Sequence, residues 1–398
     1  MSGWSVSGKG GRRTALAAFI VLLGLAAWGL FAARDRGPRS TTPGRVRVTS
    51  SSGAPSVCGP AWTRIAAARI PGDDEELVSG IAVLSRRNAW AVGTRFLSGH
   101  PFGVTLAEEW DGRSWQIVPT PGPFPGKVGD SAGLASVVAA GPSDVWAVGT
   151  HWKGRGSRPL IEHWDGARWR IVPGARVAVG GLEGLALISS HDIWGVGWSG
   201  SESLIEHWNG THWTAVPSPS RGTSTVLVGV AAVDGRHGWA VGSWMQGVGE
   251  TVQSHAFALR LDGTRWRRVP APAAMADAQL GSVSMPSAGE AWVGSQAASR
   301  HVAEWRNGRW ELRPTFMRVA NVNAQTTGDV WATGSSDSWS SALLQWSGDS
   351  WHQVLGLDLG PLDALTGFAV GSDGSRWVSG THGRHQGSDH PFFERSCP

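Results

Sequence analysis

Asp144-Val145-Trp146-Ala147-Val148-Gly149, then Ile161-Glu162-His163-Trp164-Asp165-Gly166-Ala167-Arg168-Trp169, closed by Ile171-Val172-Pro173, is the clearest copy of a unit that recurs seven times from near Ser79 to the C-terminus. Its marker tryptophan falls at Trp90, Trp146, Trp194, Trp239, Trp292, Trp331 and Trp377. The mean step is about 48 residues, and self-similarity at such a period marks a repeat architecture. A second signal is more rigid in spacing: Trp110/Trp115, Trp164/Trp169, Trp208/Trp213, Trp305/Trp310 and Trp346/Trp351, with Leu261/Trp266 in the fourth repeat. Between the partners stand Asp111-Gly112, Asp165-Gly166, Asn209-Gly210, Asp262-Gly263, Asn307-Gly308 and Ser347-Gly348. Asp-Gly and Asn-Gly tolerate the positive φ of tight turns, so each pair is expected to flank a hairpin and to pack across it.

Each repeat reads as four short strands. The first is small and apolar, as in Leu134-Ala135-Ser136-Val137-Val138-Ala139; the second carries Trp-Ala-Val-Gly; the third is of the Leu-Ile-Glu-His-Trp type; the fourth runs to a proline stop. No helical periodicity of useful length occurs after residue 57. The expected fold is all-β, a seven-bladed β-propeller over residues 58–398 with four-stranded blades. The seventh repeat ends at Pro391-Phe392-Phe393-Glu394-Arg395, one strand short, and Ala61-Trp62-Thr63-Arg64-Ile65 supplies a fourth-strand pattern at the other end. The last blade is therefore expected to be closed by both termini, leaving no open seam. Cys58 and Cys397, the only cysteines, flank these two strands. A disulfide between them is the expectation, two free thiols the alternative.

Ahead of the repeats, Ala15 to Ala33 is uncharged and long enough to span a bilayer. Lys9, Arg12 and Arg13 precede it, which favours a cytoplasmic tail (1–14), a transmembrane signal anchor (15–33) and a flexible linker (34–57). The rival is a signal peptide cut after Gly24-Leu25-Ala26, giving a secreted protein. No cysteine follows the run, which argues against lipoprotein anchoring. Either way the propeller is expected on the extracytoplasmic side, where a disulfide is chemically permitted. The sequence pI near 9.8 belongs to the tail: residues 1–57 carry eight Lys/Arg and one acid, leaving 27 basic and 30 acidic residues, −3, for the remainder. That balance lacks the electrostatic footprint of nucleic-acid binding.

On its Trp-Ala-Val-Gly and Trp-Asp-Gly-x-x-Trp motifs, the chain resembles tryptophan-rich propeller repeats of exported proteins from high-GC Gram-positive bacteria; its 32 Arg against 3 Lys fits such a genome. It is similar in register to Asp-box repeats of neuraminidases and to photosystem II assembly-factor propellers, and more loosely to kelch repeats of the galactose oxidase type. The Asp box needs a residue between Asp and Gly, whereas Asp111 and Gly112 are adjacent. The chain has no tyrosine, so neither the sialidase nucleophile nor the galactose oxidase cofactor is available. The resemblance therefore speaks for fold and assigns no catalytic residue.

Connections separate into two sets. First-to-second and third-to-fourth turns are short, while second-to-third and blade-to-blade connections are long, as in residues 94–105, 120–133 and 243–255. These sets are expected on opposite faces, with function on the long-loop face. Trp152, Trp198, Trp244 and Trp339 all follow a second strand there and are the candidate ligand-binding residues, as stacking platforms or docking anchors. His382, His385, Asp389 and His390 have metal-ligating side chains but read as a solvated loop, so no metal and no cofactor is expected. Asp73-Asp74-Glu75-Glu76 reads as a solvent-facing charge run. Glu162-His163 and Glu206-His207 recur at one repeat position and read as scaffold. Glu183, Glu202, Glu250 and Asp337 are the acids that could meet over the channel mouth. The resulting expectation is a monomeric, membrane-tethered binding module for a cell-surface glycan or an envelope protein. A glycan-active hydrolase or lyase using channel-mouth acids is the alternative.

Overall fold

A computed structural model describes residues 58–69, 73–97, 102–122, 130–247, 249–296, 299–337, 340–383 and 389–398, with the backbone alone at Asp73, Asp74 and Glu250. The expected tail, anchor and linker (1–57) lie outside these residues. Among the described residues no helix is long and apolar enough to cross a membrane.

The described residues form seven four-stranded antiparallel sheets. Blade 2 shows the pattern: Asp130–Gly141, Asp144–Lys153, Gly156–Trp164 and Trp169–Ile171, paired in that order. Blades 1 and 3 to 6 repeat it over 73–117, 180–215, 224–269, 280–314, 318–353. Blade 7 takes three strands from 363–396 and its fourth from Thr63–Ala66, which pairs with His390–Ser396 through Thr63↔Arg395 and Ile65↔Phe393. The first strands neighbour one another in sequence around a ring, and that of blade 7 neighbours that of blade 1. Cys58 and Cys397 form a disulfide beside the shared sheet.

Strand length falls outward, where the repeats suggested uniformly short strands. In blade 1 the strands are Asp73–Ser85, Asn88–Leu97, Gly103–Trp110 and Trp115–Ile117. The fourth strand ends at a residue-proline step (Val118-Pro119, Val172-Pro173, Val216-Pro217), because proline has no N–H for the ladder. The turn between paired tryptophans spans four residues. The Asp111 carboxylate accepts from the backbone N–H of Arg113 (2.8 Å) and Ser114 (2.9 Å), and Gly112 alone takes the positive φ, 94°. Asp165 and Asn209 accept equivalent pairs of N–H groups.

The paired tryptophans do lie opposite each other, as Trp110↔Trp115 and Trp164↔Trp169. Their main partner, however, comes from the preceding blade. Trp90 of blade 1 packs 5.0 and 5.3 Å from Trp164 and Trp169 of blade 2. Trp146 meets Trp208 and Trp213 of blade 3, and Trp239 meets Trp305 and Trp310 of blade 5 at 5.1 and 4.9 Å. The last contact closes the ring: Trp377 of blade 7 packs against Trp110 and Trp115 of blade 1, with the Arg395 guanidinium over Trp110 and Trp377. Two places lack the triad. At Leu261, Trp194 meets Trp266 alone, and in blade 7 Phe368 and Trp62 receive Trp331.

Candidate functional site

Antiparallel pairing in blade order puts the first-to-second and third-to-fourth turns at one end of every sheet, and the second-to-third and interblade connections at the other; against expectation, the second-to-third turns of blades 2 and 3 are only two residues long. The candidate tryptophans emerge on this second side but at unequal distances from their markers. Trp198 is four residues beyond Trp194, Trp244 five beyond Trp239, Trp152 six beyond Trp146. Alternation along a strand then sends Trp244 to the opposite side of its sheet from the other two. Trp198 is 8% exposed, and its Nε1 donates to Glu183 Oε1 at 3.3 Å. Trp244 is 9% exposed, stacked on His255 at 4.4 Å, with Arg221 over its ring. Trp152 alone of the three is half-buried, opposite Ser157 across its hairpin. Trp339 lies outside the described residues.

The channel-side acids are held separately. Every first strand has a register shift at one repeat position, leaving Ser79, Ala135, Glu183, Val228, Gly281, Ala320 and Thr366 as the extra residues. A bulge re-aims the side chain it carries. Glu183 is the one ionisable group in that set. Burial pushes it up to about 7, against the lowering effect of the Trp198 hydrogen bond. Glu202 is exposed in the second-to-third turn of the same blade. Asp337 is paired with Arg300 and with Arg318 at 3.0 Å. The Glu250 side chain is not among those described. No hydrogen bond joins Glu183, Glu202 or Asp337 to one another.

The acidic run at the start of blade 1 departs from the solvent-facing expectation. Glu75 is 8% and Glu76 2% exposed. The reason is the closing seam: Glu76 N donates to the Asp389 carbonyl of blade 7 at 3.0 Å, which holds Asp389 against the strand. Burial and then the Asp389 charge push Glu75 up to about 7. His382 is bonded to Asp363, which also accepts from Arg64 at 2.9 Å; His385 lies outside the described residues. Among the described residues no group of three His, Cys, Asp or Glu is placed to hold a metal ion.

The Glu-His pairs divide across their sheets. His163 stacks on Trp146 at 4.2 Å and lies 2.8 Å from Asp144, while Glu162 is fully buried on the other side. Glutamates recur at that position and bind the incoming interblade linker: Glu108 accepts from Ala68 N, Glu206 from Ala175 N, Glu394 from Asp358 N. Glu162 breaks the rule, since neither of its carboxylate oxygens has a hydrogen-bond partner among the described residues. In its linker Pro121, which carries no N–H, stands six residues beyond Trp115, the place that Ala175 holds beyond Trp169.

One cluster escaped the sequence reading. In blade 2, Lys153-Gly154-Arg155-Gly156 makes a two-residue turn, Lys153 pairing with Gly156 and Gly154 at φ 58°. Arg158 stands opposite His151 on the same hairpin. Beside it a groove of about 660 Å³ is lined by Arg158, Pro159 and residues 174–178, including Arg176. Burial, then Lys153 and Arg158, lower the His151 pKa, with Asp130 opposing. The signal was available: residues 145–161 hold three cations and no acid.

No protein-family model and no curated protein matches this chain. Solved structures do. YCF48 bound to D1 peptide aligns with TM-score 0.55 and 15% identity, over 86% of this chain and 99% of that one. YCF48 from Cyanidioschyzon merolae aligns at 0.51 and 13%, over 84% and 99%. A chain in a crystal structure of the mitotic checkpoint complex aligns at 0.56 and 13%, over 90% and 99%. At such identities the likeness is one of fold, and the chain is a seven-bladed, four-stranded β-propeller closed by strands from both ends of the domain.

Proposed function

We propose that the chain is a membrane-tethered, extracytoplasmic interaction module whose long-loop face binds an envelope protein. The observation that carries this reading is the asymmetry of the disc. One face has turns trimmed to a few residues with internally satisfied aspartates, and the other has the interblade linkers and, on the tight hairpin of blade 2, a half-buried tryptophan with cations that make no ion pair among the described residues. Two further facts support it. The similar propeller of YCF48 is solved with a bound peptide, and the interblade linker at 176–178 has main chain with no hydrogen bond to described residues, which a peptide can pair with. The Cys58–Cys397 disulfide supports an oxidising compartment, and the apolar run 15–33 supports the tether. A glycan partner remains the contrast to test. The hydrolase reading has less support, because Glu183 is engaged by Trp198 and Asp337 by two arginines, so neither is paired with a second carboxylate for acid–base work.

The test is site-specific photo-crosslinking of the full chain in its native envelope. Probes at Val179 and Glu202 on the long-loop face are expected to yield discrete protein adducts, while probes at Arg87 and Arg113 on the trimmed face are expected to yield none. Adducts from the trimmed face, or glycan-array binding with no protein adduct, would overturn the assignment. Protease shaving of intact cells is expected to remove the propeller epitope; full protection would place the domain on the wrong side of the membrane.

A further inference from the structure

We infer that the basic hairpin of blade 2 and the groove beside it form a docking site for an acidic, extended peptide segment of a partner protein. This rests on the interaction-module reading and specifies its partner.

Charge is the first ground. Residues 58–398 sum to −3, so a local excess of positive charge is against the domain's own average. On the same face Arg64 is neutralised by Asp363, and Arg300 and Arg318 by Asp337, while Arg221 lies over the Trp244 ring without an ion pair among the described residues. Lys153, Arg155, Arg158 and Arg176 make no ion pair or side-chain hydrogen bond among the described residues. Asp130 stands in register with Lys153 and is the acid nearest the cluster in the sheet. The equivalent tight turn in blade 3, Gly200-Ser201, is followed by Glu202 and carries no cation. Of these two tight turns, that of blade 2 carries the cations.

Shape and main chain are the second ground. The groove is an open surface depression, which suits a segment lying along the surface and not an enclosed small ligand. Its far wall is the interblade linker, which is fixed at Ala175 by the bond to Glu206 (2.9 Å) and at Val179 by the bond from Gly200 N to its carbonyl (2.9 Å). Between those anchors the main chain of Arg176, Val177 and Ala178 makes no hydrogen bond to described residues. An extended peptide can pair with that stretch as an added strand, which a polysaccharide matches less regularly. Its carboxylates then meet Arg158 and Arg176, with Lys153 and Arg155 above, and bidentate arginine–carboxylate bonds give the site its preference for acids. Half-buried Trp152 supplies an apolar surface beside the cations.

The experiment is fluorescence anisotropy of labelled heptaglutamate with the full chain in detergent micelles, at low and at physiological salt. Two variants carry the argument. K153Q/R155Q/R158Q/R176Q removes the proposed site; R87Q/R113Q/R236Q/R265Q removes equal charge from the trimmed face. Both keep the basic N-terminal segment, so a difference between them reads the site. The site variant is expected to bind about tenfold or more weakly with a flattened salt dependence, and the control within about twofold of the parent. Trp152→Ala is expected to weaken binding with the salt slope unchanged. Equal loss in both variants would overturn the site. So would loss of alginate binding, with heptaglutamate unaffected, in the site variant; that result assigns the cluster to anionic glycans. If long-loop crosslinks persist while heptaglutamate fails to bind, this docking site falls and the interaction-module reading stands.

Discussion

Glu162 shows how a single repeat position can carry a pH dependence. The Glu at this place normally receives a linker N–H, as at Glu108, Glu206 and Glu394. With proline at the linker position that elsewhere donates an N–H, Glu162 has burial without compensation, and its pKa is pushed up to about 8. The unfolded chain loses that proton near pH 4.3, so between the two values the folded state binds a proton that the unfolded state does not. The contribution is full below about pH 4.5 and is lost as pH rises through about 8. Glu162→Gln is therefore expected to match the parent near pH 4.5 and to exceed it at pH 9 by on the order of 2–4 kcal/mol. Urea denaturation across that range checks it, and parallel pH profiles would show that Glu162 ionises normally. The dyad Glu162-His163 was legible as scaffold, because adjacent strand residues face opposite ways. The missing partner was not, since it depends on which linker crosses which glutamate.

At the scale of strands, marker spacing revealed the blades but not how the tryptophans meet. Trp110 and Trp115 are paired in one sheet, a relation fixed by five residues of sequence and one turn. The contact from the preceding blade is separated by more than a whole repeat, and the repeat period by itself does not give the side of a sheet that a residue presents; only counting along the strand does. The candidate tryptophans were misleadingly alike for the same reason. Counting from each marker gives four, five and six residues for Trp198, Trp244 and Trp152, and that count already separates their faces. The energetic consequence is testable. Trp239 is 1% exposed between Trp305 and Trp310, so Trp239→Ala is expected to cost about 3–5 kcal/mol. Trp152→Ala, on the half-buried hairpin, is expected to cost less than about 1 kcal/mol. Comparable losses by chemical denaturation would mean that Trp152 is a packing residue, which would weaken its place in the peptide site.

For the molecule as a whole, closure is carried by three layers that differ in what they constrain. The disulfide limits the unfolded chain, the strand Thr63–Ala66 completes the sheet of blade 7, and Trp377, Arg395 and Phe393 join blade 7 to blade 1. All but the last were legible from the termini, because a repeat that stops one strand short must find that strand elsewhere. The Arg395 bridge, which also donates to the Arg86 carbonyl at 3.0 Å, was not, for its blade 1 partners, Arg86 and Trp110, lie some three hundred residues away. The layers separate experimentally. Cys58→Ser/Cys397→Ser leaves sheet and seam intact, so it is expected to keep the native β signature while losing stability, by at most about 5 kcal/mol on loop-entropy scaling. Removing residues 58–66 deletes the strand as well and exposes the edge of His390–Ser396, an unpaired row of backbone groups that invites association. That truncation is expected to unfold at lower denaturant than the cysteine variant and to form oligomers at concentrations where the cysteine variant stays monomeric. Light scattering with guanidinium titration distinguishes them. If the two behave alike, the disulfide alone closes the ring, and the shared strand contributes only to its shape.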